Sequence, residues 1–203
     1  MRKLHPTILR TCFAAAVCTA IAAAHAAVPR DWRVYRNVTL GYTIAYPEGW
    51  SVERNYVYPG FGPDHEIRGV AFHIPHSMAR GTNLSVNLTA LSVESVSGAG
   101  RCEAGRFLSD PQNLHSIVEN GTIYSTAESQ DAGAGNRYEE IVFALIGSSP
   151  CLGIRYFIHS TNIGNYDPGV VQEFDRAKLL AEFDRIRHTL AVSQPAHPAG
   201  AQQ

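Results

Sequence analysis

The sequence lacks the short motifs by which two common enzyme classes are recognised. Neither the Gly-x-Ser-x-Gly turn of serine hydrolases nor the His-Glu-x-x-His pair of zinc proteases occurs. A basic surplus is missing too, because 17 lysine and arginine residues stand against 18 aspartate and glutamate residues. This charge balance disfavours nucleic acid and anionic lipid as partners. We expect no catalytic residue, no bound metal and no other cofactor.

Long apolar stretches are absent after the N-terminal segment. Residues 1–26 combine a basic start, an apolar run over Thr11–Ala24 and the small residues of Ala24-His25-Ala26. These are the three parts of a secretory signal peptide that is cleaved after Ala26. The apolar run is shorter than the roughly 20 residues that cross a bilayer as a helix. An uncleaved anchor is the alternative; we expect cleavage and no membrane span thereafter.

After cleavage we expect a single domain that is either periplasmic or secreted. Removing the three basic residues of the signal leaves 14 against the 18 acidic ones, a net charge of −4. Residues 27–192 are enough for a single domain with its own core. Residues 193–203 have no apolar period, so we expect a disordered tail.

Cysteine is scarce, and half of it falls in the predicted signal. Cys102 and Cys151 are the two cysteines beyond residue 26. Because an exported protein meets an oxidising compartment, the two thiols are predicted to form a disulfide. Metal binding by the two thiolates is the alternative, but no close cysteine or histidine spacing supports it.

Alternating apolar residues predict one strand after another between residues 33 and 161. The clearest predicted strands cover residues 42–46, 70–74, 84–89, 138–146 and 152–158. Short turns rich in glycine and proline separate them, which indicates antiparallel pairing.

A long amphipathic helix is predicted to follow the strands. Leu179, Phe183 and Ile186 share one stripe of a helix over residues 170–190. Asp167 is a suitable cap, and Pro168 fits the first turn. A shorter helix is predicted over residues 103–108.

One segment resembles a known family. Gly41–Trp50 reads GYTIAYPEGW, and it looks like the opening strand and turn of PsbP-like proteins, which include DcrB-like bacterial envelope proteins. The family also ends in a long helix with phenylalanine and isoleucine, here Phe183 and Ile186. The resemblance implies an α+β fold in which helices flank an antiparallel sheet, an α/β/α sandwich. It also implies non-enzymatic binding or assembly, and it transfers no functional residue.

Polar residues opposite the apolar sides of three predicted strands form a candidate binding face. Strand neighbours point to opposite sides of a sheet, so these residues would share one surface if the strands are adjacent. An ordinary solvated sheet face is the alternative. The candidate residues are His73, Asn87, Arg155, Phe157 and His159, with Tyr166 in the loop that follows.

The sequence favours an exported binding or accessory module without catalysis. The partner would be an envelope protein, a peptide or a glycan, since aromatic and polar groups alternate on the candidate face. The second hypothesis is an envelope hydrolase or metal-dependent enzyme. It would use His73 and His159 with a carboxylate such as Asp64 or Glu66.

Overall fold

A computed structural model describes residues 28–62 and 65–193. The predicted signal peptide, Asp64 and residues 194–203 of the predicted tail lie outside the described residues. The strands are β1 (Trp32–Asn37), β2 (Tyr42–Pro47), β3 (Ser51–Tyr58), β4 (Ile67–His73), β5 (Ala90–Val96), β6 (Gln112–Glu119), β7 (Thr122–Gly133), β8 (Asn136–Leu145), β9 (Cys151–Thr161) and β10 (Ala191–Val192). The α-helices are α1 (His76–Ala79) and α2 (Arg176–Arg187), and 3-10 helices cover Ala104–Phe107 and Ile163–Asn165.

The strands form two antiparallel sheets. The large sheet has seven strands in the order β3-β4-β5-β9-β8-β7-β6, and the small sheet has the order β1-β2-β10. Asn120 and Gly121 join β6 to β7 with φ values of 49° and 78°, the left-handed conformation that a two-residue hairpin turn requires. The predicted antiparallel pairing is confirmed.

One predicted strand is wrong. Residues 84–89 make only an isolated bridge, between Leu84 and Ser160, before the chain turns at Leu88 with a φ of 72°. The Thr89 hydroxyl accepts from the His159 amide (3.0 Å) and lies 3.2 Å from the His159 carbonyl oxygen. This side chain takes the place of a strand partner, so the preceding residues bulge outward and β5 begins at Ala90.

The main core lies between the large sheet, the small sheet and α2. Its buried side chains come from both sheets and from the stripe Leu179, Phe183 and Ile186 of α2. Trp50 packs edge-on against Phe183, with ring centroids 5.9 Å apart. The apolar stripe of the predicted helix therefore packs on the sheet as expected.

The expected α/β/α sandwich, an antiparallel sheet flanked by helices, is wrong. Among the described residues the structure is mostly β, with two sheets and two α-helices of 4 and 12 residues. The three-stranded sheet shares one face of the large sheet with α2. A loop with a short 3-10 helix covers part of the other face, where a second helical layer was expected.

The C-terminal helix is shorter than predicted because its first half is held elsewhere. Gly169 has a φ of +83°, which interrupts a helix, and the Gln172 amide donates to the Gly81 carbonyl (3.0 Å). Asp175, rather than Asp167, caps α2, since its carboxylate accepts from the Lys178 amide at 2.9 Å. The helix over 103–108 is a single 3-10 turn. No helix of the described residues is long and apolar enough to cross a membrane.

Candidate functional site

The candidate site lies on the second face of the large sheet, which we define as the face turned away from α2. Register places Tyr138 beside His159 on the neighbouring strand, and Glu140 beside Phe157. Arg155 and Gly153 follow on β9 toward Cys151. The half of this face around Arg155 and Gly153 is the closed half, and the half around Tyr138, Phe157 and His159 is the open half.

The closed half is built on a buried arginine. Arg155 is 0% exposed and donates through Nε and Nη2 to the two carboxylate oxygens of Glu94, at 2.9 and 2.8 Å. Its Nη1 donates to Glu140, and Nη2 also donates to the Phe107 carbonyl at 2.7 Å. The Tyr58 ring covers the guanidinium, with Cζ 3.5 Å from the ring centroid.

This cluster keeps its charges because each polar group has a partner. Burial by itself would lower the pKa of Arg155, but the Glu94 and Glu140 carboxylates outweigh it and the pKa lies above its ordinary value. Burial raises the pKa of Tyr58, whose hydroxyl donates to Glu140 at 2.9 Å. Arg155 therefore stays charged and occupied, and the candidate face cannot offer it to a ligand.

The loop that closes this half is tied down at three points. Cys102 and Cys151 form the predicted disulfide, which joins the loop to the start of β9. Phe107 packs on Gly153 so closely that an added Cβ would lie 2.6 Å from its ring. The Ser125 hydroxyl accepts from the Ala104 amide at 3.1 Å.

The open half carries three partly exposed aromatic rings. His159 stacks on Tyr138 with centroids 4.8 Å apart and an angle of 20° between the rings. Tyr138 lies 6.2 Å from Phe157, and Phe157 lies 6.5 Å from Tyr58 at the border of the closed half. We call Tyr138, Phe157 and His159 the aromatic row.

The His159 ring is held at both nitrogens. Nδ1 lies 2.9 Å from the Asn87 carbonyl oxygen, and Nε2 lies 3.0 Å from Oδ1 of Asn136. The stacked Tyr138 ring covers one side of the imidazole. The geometry suits a fixed platform better than a base or a metal ligand, because both nitrogens are already engaged.

A cleft lies on the α2 side of the large sheet, opposite the aromatic row. It has a volume of about 640 Å³ and is lined by Tyr138 together with Arg137, Ser160 and Phe174. Glu139 and Arg176 form an ion pair in its wall. Arg137, Glu139 and Ser160 alternate with Tyr138 and His159 along their strands, so the cleft and the aromatic row lie on opposite faces of the sheet.

The structure brings four of the six predicted residues into one neighbourhood. Phe157 and His159 lie two residues apart on β9, and the Asn87 carbonyl contacts His159. His73 shares the second face, separated from Phe157 by Ala90 of β5.

The other two predicted residues, Arg155 and Tyr166, are placed differently. The expected exposure of Arg155 is wrong, since Glu94, Glu140 and Tyr58 enclose it. Tyr166 follows the 3-10 helix Ile163–Asn165, where its amide donates to the Ile163 carbonyl at 3.2 Å. That turn is attached to the β7–β8 hairpin through Asn162 and Gly135.

The histidines of the hydrolase hypothesis have separate partners. His73 Nε2 lies 3.0 Å from a Glu53 oxygen, whereas His159 contacts Asn87 and Asn136. Glu66 is exposed and pairs with Arg68. Within residues 28–62 and 65–193, no group of three or more histidine, cysteine, aspartate or glutamate residues could hold a metal.

Sequence reasoning missed Tyr138, Asn136 and Glu140. Residues 138–146 form a nearly continuous apolar run, so alternation does not show which residues face which side. The two adjacent glutamates at 139 and 140 were the available signal. Neighbouring strand residues point to opposite faces of a sheet, so one of the two glutamates has to lie on the second face.

Comparison with solved structures finds several similar chains. No family model and no curated protein matches the sequence. The chain is similar to the solution structure of cyanobacterial PsbP (CyanoP) from Synechocystis sp. PCC 6803, at 16% identity and a TM-score of 0.44. The match covers 85% of this chain and 99% of that chain. This likeness assigns no function to this chain.

Proposed function

We propose that this chain is an exported, non-catalytic binding module whose ligand surface is the aromatic row. The observation that carries the proposal is the stack of Tyr138 on His159 beside Phe157, three partly exposed rings in an uncovered part of the second face. The ligand is a glycan or an extended peptide with flat apolar faces that can lie on these rings.

The aromatic row has the physical properties of a preformed binding surface. Large flat rings bury much area per side chain and lose little conformational entropy on binding. The contacts of His159 to Asn87 and Asn136 fix its ring before any ligand arrives. A rigid surface avoids the ordering cost that weakens association.

Export agrees with the chemistry of the two cysteines. Disulfides persist in oxidising compartments such as the periplasm, and Cys102 and Cys151 are bonded. Together with the signal-like residues 1–26, this supports a periplasmic or secreted protein. Mass spectrometry of native protein should find an N-terminus at Ala27, and an intact Met1 would contradict export by cleavage.

Titration of labelled protein followed by NMR tests the ligand surface. The probes are a panel of soluble oligosaccharides, including peptidoglycan fragments, and a panel of short extended peptides. We expect one panel to shift the amide signals of Tyr138, Phe157 and His159, with smaller changes at α2. If no member of either panel shifts these signals, the proposed surface is wrong.

A matched pair of histidine variants separates binding from general surface effects. His159→Ala removes the stacked platform and should weaken the best probe at least tenfold. His115→Ala removes an exposed histidine of β6, which lies on another strand, and should leave the affinity unchanged. Equal affinity of the two variants would contradict the proposal.

A further inference from the structure

The four sheet edges of the described residues differ in how they are protected. β1 carries exposed Arg33 and Arg36, and β10 has only two residues. β3 has exposed Arg54 within a register shift between Glu53 and Tyr56. Charges, bulges and short length are the usual means of preventing sheets from pairing edge to edge.

The β6 edge is protected only at its start, and it carries exposed apolar side chains. Its eight residues include no lysine, arginine or proline, and the register shift lies between Gln112 and His115. From His115 to Glu119 the pairing with β7 is regular. Leu114, Val118 and the cross-strand neighbour Ile123 are 53%, 71% and 48% exposed.

The sequence of this edge is complementary to itself. If two copies of β6 pair antiparallel around Ser116, Leu114 of each copy faces Val118 of the other. In the same register Asn113 faces Glu119, and His115 faces Ile117, so no two like charges meet. Such cross-strand contacts between apolar residues stabilise antiparallel pairs.

We propose that β6 is a homodimerisation edge, through which a second copy of this chain extends the large sheet across a two-fold axis. The interface lies on an edge strand remote from β9, so it does not depend on the proposed ligand surface. Main-chain hydrogen bonds along β6 supply the attraction, and the Leu114–Val118 contacts fix the register.

Sedimentation velocity of the purified full chain tests the dimer. The chain should be monomeric when dilute and dimeric when concentrated, over a roughly 100-fold range of concentration. Val118→Lys should raise the dissociation constant at least tenfold, because one ammonium group would enter each of the two Leu114–Val118 contacts. Val34→Lys, at an exposed valine of the β1 edge (57% against 71% for Val118), is the control.

Cysteine trapping tests the register. Two Ser116→Cys side chains would be direct neighbours across the axis, within the distance that a disulfide spans. Mild oxidation should therefore link this variant into covalent dimers, whereas Ser51→Cys on the β3 edge should stay monomeric. A native chain that is monomeric at every concentration, a Val118→Lys chain that still dimerises, or equal linking of the two cysteine variants would overturn the proposal.

Discussion

The two halves of the second face use similar residues for opposite purposes. In the closed half, Arg155, Glu94 and Tyr58 satisfy one another beneath a loop that the disulfide holds. In the open half, Tyr138 and His159 stack in a part of the face that the loop leaves uncovered. Both halves are polar and aromatic, so residue type alone does not distinguish them.

The two halves differ in whether the loop covers them, and this decides which of their side chains are buried and which can contact a ligand. A buried charge needs complete pairing, because an unpaired one costs several kcal/mol. A partly exposed ring has no such requirement and is free to contact a partner. The closed half should therefore respond to substitution with a loss of stability, and the open half with a loss of binding.

The largest effect is expected from removing the buried guanidinium. Arg155→Met leaves the Glu94 carboxylate, which is 0% exposed, without its partner. We expect the free energy of unfolding to fall by about 3–5 kcal/mol, measured by urea denaturation. Arg137→Met removes an exposed arginine of β8 and should change it by less than about 0.5 kcal/mol. Similar losses in the two variants would remove the distinction between the halves.

Loss of the disulfide should have the next largest effect. The bridge closes a loop of 49 residues, for which chain entropy gives about 4 kcal/mol, with typical measured values of about 2–4 kcal/mol. Denaturation of a Cys102→Ala/Cys151→Ala variant checks this. NMR signals of the Ala104–Phe107 turn should broaden before those of α2, because the loop loses its attachment. Unchanged stability would mean that the loop stays in place without the bridge.

A second buried arginine gives a smaller, pH-dependent effect. Arg187 donates to Glu119, and this hydrogen bond lowers the pKa of Glu119 below its ordinary value of 4.5. The associated stability is present above pH 4.5 and is lost as the pH falls through the folded-state pKa.

Comparison with Glu119→Gln isolates that contribution. Because the Glu119 side chain is 34% exposed, solvent screens the pair and we expect a loss of only about 1 kcal/mol near neutral pH. The difference from the native chain should vanish in acid, where Glu119 is protonated. Unfolding curves recorded from pH 7 to pH 3 test this, and a difference independent of pH would show that the charge is not responsible.

The smallest effect on stability is expected in the open half. Tyr138→Ser removes a partly exposed ring that stacks on His159, and we expect the free energy of unfolding to change by about 1 kcal/mol or less. The same variant should lose affinity for the NMR probe at least tenfold. A stability loss comparable with that of Arg155→Met would place Tyr138 in the supporting structure.

Much of the fold follows from local patterns in the sequence. Alternation correctly predicted β2, β4 and β9, and the stripe of Leu179, Phe183 and Ile186 correctly predicted the packed face of α2. Residues 84–89 also alternate, yet the hydroxyl of Thr89 engages His159 and prevents a strand. Such a contact depends on a strand 70 residues away, which no local pattern contains.

The candidate site was less predictable than the strands. Strand parity puts His73, Phe157 and His159 on one face, whereas Asn87 lies in a turn and contacts His159 through its carbonyl oxygen. The same parity could not show that Arg155 is enclosed, since Tyr58 and Phe107 reach it from distant segments. The helical layers expected from the family resemblance are replaced on one face by β1, β2 and β10 beside α2.

The sequence by itself determined the antiparallel strands, the apolar stripe of the last helix and the pairing of Cys102 with Cys151. Each depends on neighbouring residues in the chain or on the small number of cysteines. Only the tertiary structure decided which polar residues are buried and which are exposed. Burial depends on what packs above a side chain: Tyr58 and Phe107, from distant parts of the chain, cover Arg155, whereas Tyr138 stays partly exposed.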